Sequence, residues 1–235
     1  MVRIALLGPS HPWRGGIAHH TARLEKALTD AGHRVLPLNF KRLYPEVLFP
    51  GRTQRDRSDK TFDISADPVF DPVDPLSWVR TAWRVRKFGA QRLVLQWWHP
   101  YFAPGYAAVM CLSRLAGVDT VLQCHNVRPH EQSAVDDALL RIAYACPNRF
   151  VVQSASEVSR LREFVGDEAA VDVVSHPPYD LFDDRDGWSA SAWRQKLGID
   201  ADQVLLFFGL VRPYKGVDVL LDAVARLPDT VDWAL

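Results

Sequence analysis

The chain has 235 residues, of which 48% are hydrophobic and 24% are charged, the balance of a soluble globular protein with a sizeable core. Basic and acidic residues number 28 each, so the chain as a whole has no excess charge that would recruit nucleic acid or an acidic membrane. Three cysteines without a CxxC spacing (Cys111, Cys124, Cys146) indicate buried, reduced thiols, and no apolar run is long enough for a signal peptide or a membrane span, so we expect a cytoplasmic protein.

Strands and helices alternate along most of the chain. An apolar strand is predicted over 2–8, a helix over 16–31, a second strand over 34–40 and a long polar surface excursion over 41–75. Further helices are predicted over 76–88, 104–117, 131–145 and 154–164, and further strands over 92–98, 119–125, 149–154, 170–176 and 203–208.

This alternation predicts an α/β fold, a Rossmann-like, doubly wound parallel sheet with helices on both faces. Residues 1–180 are expected to form the first domain. An acidic, serine-rich linker is expected over 181–202, and residues 203–235 are expected to open a second α/β domain. Ligands of such folds bind at the carboxyl ends of the strands, which directs attention to the loops that follow each strand.

The first of these loops, GPSHPWRGG, leads into a helix near Gly16. Gly15 and Gly16 allow close approach of the backbone, and a helix N-terminus offers N–H donors to an anion. A nicotinamide-dinucleotide site would require GxGxxG and an acidic residue after the second strand, where Asn39 and Phe40 stand instead. A glycine-rich turn without a ligand remains an alternative.

A second candidate loop follows the apolar run near the C-terminal end, in VLLFFGLVRPYKGVDVLL (204–221). Arg212 and Lys215 precede Gly216, where a new amphipathic segment begins. Two cations beside a helix start favour a diphosphate ligand.

Five segments, in this order, resemble the GT-B glycosyltransferases of the retaining family 4 type: GGIAHHTARLEKALTDAGHRV, LQCHNVRPHE, VVQSASEVSRL, VSHPPYDLF and FFGLVRPYKGVDVLLDAVARL. The resemblance implies two Rossmann-like domains with the active site between them. It implies transfer of a sugar from a nucleotide-diphosphate sugar to an acceptor hydroxyl with retention, without a metal or other cofactor. The acidic motif of the family would fall beyond residue 235, so we expect a fragment of the enzyme.

Carried over by position, the resemblance gives five residues a role. Gly15 and Gly16 would bring backbone N–H groups to the donor, His125 would lie beside the transferred sugar, and Lys215 would neutralise the diphosphate. Arg212 would reach the phosphates from a shifted position, because Leu210 stands where the family usually has arginine. In this account His125, Lys215 and Arg212 are the catalytic residues.

Other candidates for sugar or acceptor contacts are His19, Trp98 and Glu131. Each of them has an ordinary structural alternative. His19 and His20, at the start of the first helix, could equally be solvated or packed against the protein. Trp98 could equally be a core residue, and Glu131 could equally interact with the helix dipole. The spacings of the histidines match no zinc-binding signature. The serines at 154 and 156 lack the GxSxG motif of a hydrolase nucleophile and are better explained as helix caps.

The stretch SWVRTAWRVRKFG (77–89) mixes aromatic and basic residues. Such a helix either lies at a membrane interface or buries its aromatic face on the sheet. The resemblance implies a sugar or a lipid-linked sugar as the acceptor. Peripheral contact with the inner membrane face stays open, and no nucleic acid is expected as a partner.

The alternative function is a non-catalytic module that binds a glycan or a protein. The sequence does not specify the sugar, the nucleotide, the acceptor or the oligomeric state.

Overall fold

The structure, a computed structural model, describes residues 1–45, 53–57, 64–129, 133, 135–178, 189–209, 211–228 and 232–234. Two compact units divide the chain, Met1–Pro177 and Pro178–Leu235. No described helix is long and apolar enough to cross a membrane.

The first unit contains one parallel sheet with helices between its strands. Its elements in chain order are β1 (Arg3–Leu7), α1 (Gly16–Asp30), β2 (Arg34–Phe40), β3 (Asp67–Phe70), α2 (Pro75–Phe88), β4 (Arg92–Trp97), a 3₁₀ turn (Pro100–Phe102), α3 (Ala103–Leu115), β5 (Asp119–Cys124), α4 (Asp136–Tyr144), β6 (Arg149–Val152), α5 (Ala155–Val165) and β7 (Val171–Val173).

The strand order is β3-β2-β1-β4-β5-β6-β7, and every neighbouring pair is parallel. This confirms the predicted Rossmann-like, doubly wound sheet. Four of the five residues of β1 are buried, as expected of a strand covered on both faces. Successive strands are added outward on one side of β1 and then outward on the side of β4, so the order of strand addition reverses between β1 and β4.

β3 was not predicted. It lies within the excursion expected over 41–75, and its sequence DPVF contains an aspartate and a proline that strands usually avoid. The strand is tolerated because it is short and stands at the edge of the sheet, where β2 is its one strand partner among the described residues.

A further part of the same excursion, residues 53–57, is attached to the loop that follows β1. Arg14 N–H donates to the Gln54 carbonyl oxygen over 2.8 Å, and Asp56 N–H donates to the Pro12 carbonyl oxygen over 2.9 Å. The Gln54 side chain exchanges two hydrogen bonds, of 3.0 and 2.9 Å, with the backbone of Tyr44. Gln54 therefore ties the excursion to the strand end and the first loop at once.

The start of α5 confirms one of the two serines that were expected to cap a helix. Ser154 is the N-cap, and its hydroxyl accepts a hydrogen bond from Glu157 N–H. The Glu157 carboxylate turns away from the helix start and accepts from Val127 N–H over 3.0 Å. The side chain thus fixes the loop after β5 instead of closing a capping box.

The three cysteines carry free thiols, but they are not all buried. Cys111 lies on the exposed face of α3, which corrects the expectation of three buried thiols, while Cys124 and Cys146 are buried. Burial raises the pKa of the Cys146 thiol to about 12, so this thiol is protonated at neutral pH.

The second unit contains α6 (Ala190–Leu197), β8 (Gln203–Val204), a 3₁₀ turn (Pro213–Lys215), α7 (Val217–Val224) and β9 (Trp233–Ala234). α6 lies within the segment expected to be a linker. Of the strand predicted over 203–208, the structure describes two residues as strand, β8, which pairs in parallel with β9. Leu205 N–H continues this pairing by donating to the Ala234 carbonyl oxygen over 2.9 Å, and Leu206 and Phe208 are exposed.

Candidate functional site

The carboxyl ends of β1 and β4 form the point at which the strand order of the sheet reverses. In open α/β sheets a ligand binds in the crevice at such a point, because the loops on either side run in opposite directions. The loop after β1, the start of α1 and the ends of β4, β5 and β6 all meet here. We therefore take this edge of the first unit as the candidate site.

The loop after β1 is held in place by Asn39 at the end of β2. The Asn39 side-chain amide donates to the carbonyl oxygens of Ser10 and His11, over 3.3 and 3.0 Å, and its oxygen accepts from Ser10 N–H over 3.1 Å. The indole N–H of Trp13 donates to the Phe40 carbonyl oxygen over 2.9 Å. A buried amide thus stands where a dinucleotide-binding fold would place an acidic ribose ligand, and its hydrogen bonds go to the loop itself.

Gly15 and Gly16 form the start of α1. Gly15 has φ of 127°, a conformation that favours glycine, and a side chain there would meet no other atom within 4 Å. No side chain caps the helix and no acidic residue stands in its first turn. The positive end of the helix dipole therefore has no acidic side chain in its first turn, which suits an anionic ligand.

Three histidine rings lie close together at the same edge. The centroid of the His20 ring is 4.7 Å from that of His125 and 5.4 Å from that of His176, and the rings of His125 and His176 are 6.5 Å apart. Burial lowers the pKa of His125 to about 3, with further lowering by the two neighbouring histidines. Burial and His176 also lower the pKa of His20. Both groups are therefore neutral at physiological pH.

The predicted pair at the first turn of α1 separates into two environments. His20 is 5% exposed and its ring contacts that of His125, whereas His19 is half-buried. The phase of the helix decides this, because Ala18, Thr21 and Ala22 face the sheet together with His20.

Three glutamines connect these histidines, and sequence reasoning missed all of them. Gln96 contacts His125 Nε2 over 2.7 Å and Gln123 over 3.0 Å. Gln123 contacts His20 over 2.9 Å, and Gln153 contacts the other ring nitrogen of His125, Nδ1, over 3.0 Å. A signal was present: LVLQ, TVLQ and FVVQ end three successive predicted strands, each with an apolar run followed by glutamine. The in-register pairing of Gln96 with Gln123 brings the first two side by side.

Gly8, the residue after β1, makes room for this group. A Cβ atom at Gly8 would lie 2.6 Å from Gln96 Cγ and 2.7 Å from Thr21 Oγ1. Glycine is therefore required for the close approach of the strand end, the Gln96 side chain and α1.

Trp98, a candidate for sugar contact, belongs to an aromatic cluster next to the site. Its indole N–H donates to the Tyr44 hydroxyl over 2.9 Å, and its ring centroid lies 4.4 Å from that of Phe102. Burial raises the pKa of Tyr44 to about 12, so the hydroxyl stays protonated. Trp98 is half-buried and packs on the hydrophobic core, which leaves part of the ring accessible at the edge of the site.

The remaining predicted residues lie elsewhere in the chain. Glu131 falls outside the described residues. Arg212 and Lys215 belong to the second unit, where Lys215 ends a 3₁₀ turn and its ammonium lies 5.3 Å from the Tyr214 ring centroid. Gly216 follows with φ of 66° and is the N-cap of α7, as the sequence predicts. Within the part of the chain that the structure describes, no three potential ligands are grouped to hold a metal ion.

A family model described as "Glycosyl transferase 4-like domain" matches residues 15–177. Among characterised proteins, the chain is 32% identical over 124 residues to GDP-mannose:glycolipid 4-beta-D-mannosyltransferase of Xanthomonas campestris pv. campestris, a match that covers 52% of this chain and 31% of that protein. It is 37% identical over 101 residues to D-inositol 3-phosphate glycosyltransferase of Mycobacterium sp. strain JLS, covering 42% of this chain and 20% of that protein.

Among solved structures, Anabaena HepE in complex with UDP superposes with a TM-score of 0.62 at 16% identity, covering 99% of this chain and 60% of that chain. At this identity the likeness concerns the fold. The matches cover less than a third of the length of either of the two relatives named above.

Proposed function

Because the chain belongs to the glycosyl transferase 4-like family, we propose that its protein transfers a sugar from a nucleotide-diphosphate sugar to an acceptor hydroxyl. The family match over residues 15–177 carries the proposal. It is supported by relatives named as a mannosyltransferase and an inositol-phosphate glycosyltransferase, and by a structural neighbour that binds UDP.

The proposed roles follow the chemistry of a diphosphate leaving group. As the sugar–phosphate bond breaks, negative charge develops on the diphosphate, and Lys215 and Arg212 would stabilise this charge. The backbone at Gly15 and Gly16 would face the donor, and His125 would lie beside the transferred sugar. Arginine suits phosphate because its planar fork donates two parallel hydrogen bonds.

We further propose that transfer proceeds with retention and without a metal cofactor, as the resemblance to retaining family 4 implies. Turnover that persists in a chelator, with a product of the same anomeric configuration as the donor, is the expected result. A chelator-sensitive reaction or an inverted product would contradict these two points without affecting glycosyl transfer itself.

A panel of nucleotide-sugars, tested for thermal stabilisation of the chain and then for turnover, provides the main test. A ligand that binds only the folded protein adds about 2.7 kcal/mol of stability at 100 times its dissociation constant, and the melting temperature rises accordingly. We expect one nucleotide-sugar to stabilise the protein, with no effect of NAD or NADP at the same concentration. Stabilisation by a free glycan without any nucleotide-sugar effect would favour the non-catalytic module instead.

The acceptor is proposed to be lipid-linked, because one face of α2 fits an anionic bilayer. Val73, Leu76, Val79 and Trp83 are 50%, 65%, 56% and 53% exposed, and the last three follow helical spacing on one face. The helix packs on the sheet through its opposite face, which includes Val85. The aromatic face expected to pack on the sheet is therefore divided: Trp78 is half-buried, and Trp83 is exposed.

Cations surround this apolar stripe. A shallow cavity of about 230 Å³ beside it is lined by Lys41, Asp67, Pro68, Val69, Arg80, Trp83 and Arg84. Its acidic member, Asp67, is paired with Arg84 over 2.6 Å, so the surface is positive on balance. Lys87 lies 4.8 Å from the Trp83 ring centroid. Apolar side chains framed by cations are the pattern of a helix that lies in an anionic membrane interface.

Co-sedimentation with vesicles of phosphatidylglycerol and phosphatidylcholine tests this surface. Leu76→Ser should weaken binding about tenfold or more, because full burial of a leucine side chain contributes about 1.5–3 kcal/mol and about 1.4 kcal/mol is a factor of ten. Leu115→Ser is the matched control, since Leu115 is 86% exposed on α3, and it should bind like the unmodified protein. Equal binding to vesicles of phosphatidylcholine alone, or equal loss in both variants, would contradict the proposal.

A further inference from the structure

Five side chains form one continuous hydrogen-bonded chain at the edge of the sheet, which we call the glutamine relay: Gln153, His125, Gln96, Gln123 and His20. Gln96 is fully buried, and Gln123 and His20 are 8% and 5% exposed. The members come from four different elements or the residues directly after them. Buried polar groups cost free energy unless they are paired, and among the described residues the relay leaves one buried atom, His20 Nδ1, without a hydrogen-bond partner.

The relay has a direction. The Gln153 amide N–H donates to His125 Nδ1, and Gln96 Nε2–H donates to Gln123 Oε1. Gln96 Oε1 can only accept, so His125 Nε2 must carry the proton between them. Gln123 Nε2–H likewise donates to His20 Nε2, which leaves the His20 proton on Nδ1. Each neutral imidazole thus has one donor and one acceptor nitrogen, as its chemistry requires.

We propose that Gln96 is a positioning residue that holds His125 as its neutral Nε2–H tautomer and, through Gln123, fixes the tautomer of His20. Gln96 touches His125 directly but does not touch His20, so its effect on His20 must pass through the intervening carboxamide. The inference rests on the proposed function only for the assignment of His125 as the neighbour of the transferred sugar.

The relay limits what His125 can do chemically. Both ring nitrogens are engaged by glutamines, and a second proton on Nδ1 would face the donating amide of Gln153. The other titratable groups facing the ring, His20 and His176, also oppose a positive charge there. His125 would therefore contribute a rigid, neutral surface beside the sugar, and would not act as a general acid or base.

Long-range proton–nitrogen NMR spectra of the ligand-free chain test the inference directly, since they distinguish protonated from bare ring nitrogens. We expect one tautomer for each residue at neutral pH, Nε2–H for His125 and Nδ1–H for His20. A protonated Nδ1 on His125, or titration of His125 near pH 6.5, would overturn the proposal.

The Gln96→Met variant then tests the connection between the two histidines. Methionine preserves the length of the side chain but removes both hydrogen bonds, so Gln123 becomes free to turn its carboxamide. We expect His20 to lose its single tautomer, although it does not contact residue 96. An unchanged His20 tautomer would show that the effect of Gln96 ends at His125 and would overturn the proposed connection to His20.

Gln91→Met provides the matched control. Gln91 is exposed at the other end of β4, where its side-chain oxygen accepts from Arg3 N–H over 3.0 Å, and its replacement should leave both tautomers unchanged. Because all these spectra use the free chain, their failure would leave the nucleotide-sugar screen, and with it the proposed transferase function, standing.

Discussion

Lys215→Ala is expected to lower kcat/KM for sugar transfer by about 10²–10³-fold while leaving the fold intact. Loss of one preorganised group that stabilises transition-state charge typically costs this much in rate. The lysine side chain is exposed and its described contact is with the Tyr214 ring, so its removal should change stability by less than about 0.5 kcal/mol. The measurement is steady-state turnover with the donor identified in the screen, alongside a melting curve.

Lys196→Ala is a close control for this variant. Lys196 is also exposed in the second unit, and its ammonium lies 4.3 Å from the Trp193 ring centroid. Both substitutions therefore remove a lysine that contacts an aromatic ring, but only one removes the proposed diphosphate ligand. Equal turnover in the two variants would refute the assignment of Lys215.

Phe102→Ala is expected to have the largest effect on stability, a loss of about 3–5 kcal/mol from the free energy of unfolding. The Phe102 side chain is fully buried. Its ring centroid lies 4.4 Å from that of Trp98 and 5.1 to 5.5 Å from those of Phe40, Tyr44 and Tyr101. Truncation would leave a cavity in the middle of this cluster and remove its aromatic contacts.

Denaturant unfolding followed by tryptophan fluorescence measures this loss, because Trp98 reports on the same cluster. Phe208→Ala, the same substitution at a side chain that is 89% exposed, should change the midpoint very little. A small effect of Phe102→Ala would mean that the neighbouring rings collapse into the space, and the cluster would then be less rigid than its packing indicates.

The layout of the first unit follows from the sequence to a large extent. Apolar runs such as 2–8 and 34–40 are predicted as buried strands, and helical spacing with a terminal glycine gives α1 and α2 nearly to their observed bounds. These elements are predictable because their burial pattern and their local propensities agree. The expected location of the site at the carboxyl ends of the strands follows from the same alternation.

The edges of the sheets are less predictable. β3 depends on its pairing with β2, so it cannot be derived from a local pattern. Strand formation of this kind is decided by tertiary context, which overrides propensity.

The polar interior of the site shows another limit. The phase of α1 places His20, and not His19, against His125. The glutamines can be recognised as site residues only when the pairing of neighbouring strands is known. The repeated glutamine at three strand ends was visible in the sequence, but a buried carboxamide is recognised as a network member only when its partners are known.

The attachment of Gln54 limits how this protein can be redesigned. Exchanging the 41–75 segment for that of a relative would also replace the residues that bond to Arg14 N–H and to the Pro12 carbonyl oxygen, in the loop beside Gly15. Such an exchange would therefore disturb the loop that leads into α1 as well as the exchanged segment. A graft that retains residues 53–57 and varies only the flanking positions should leave that loop in place.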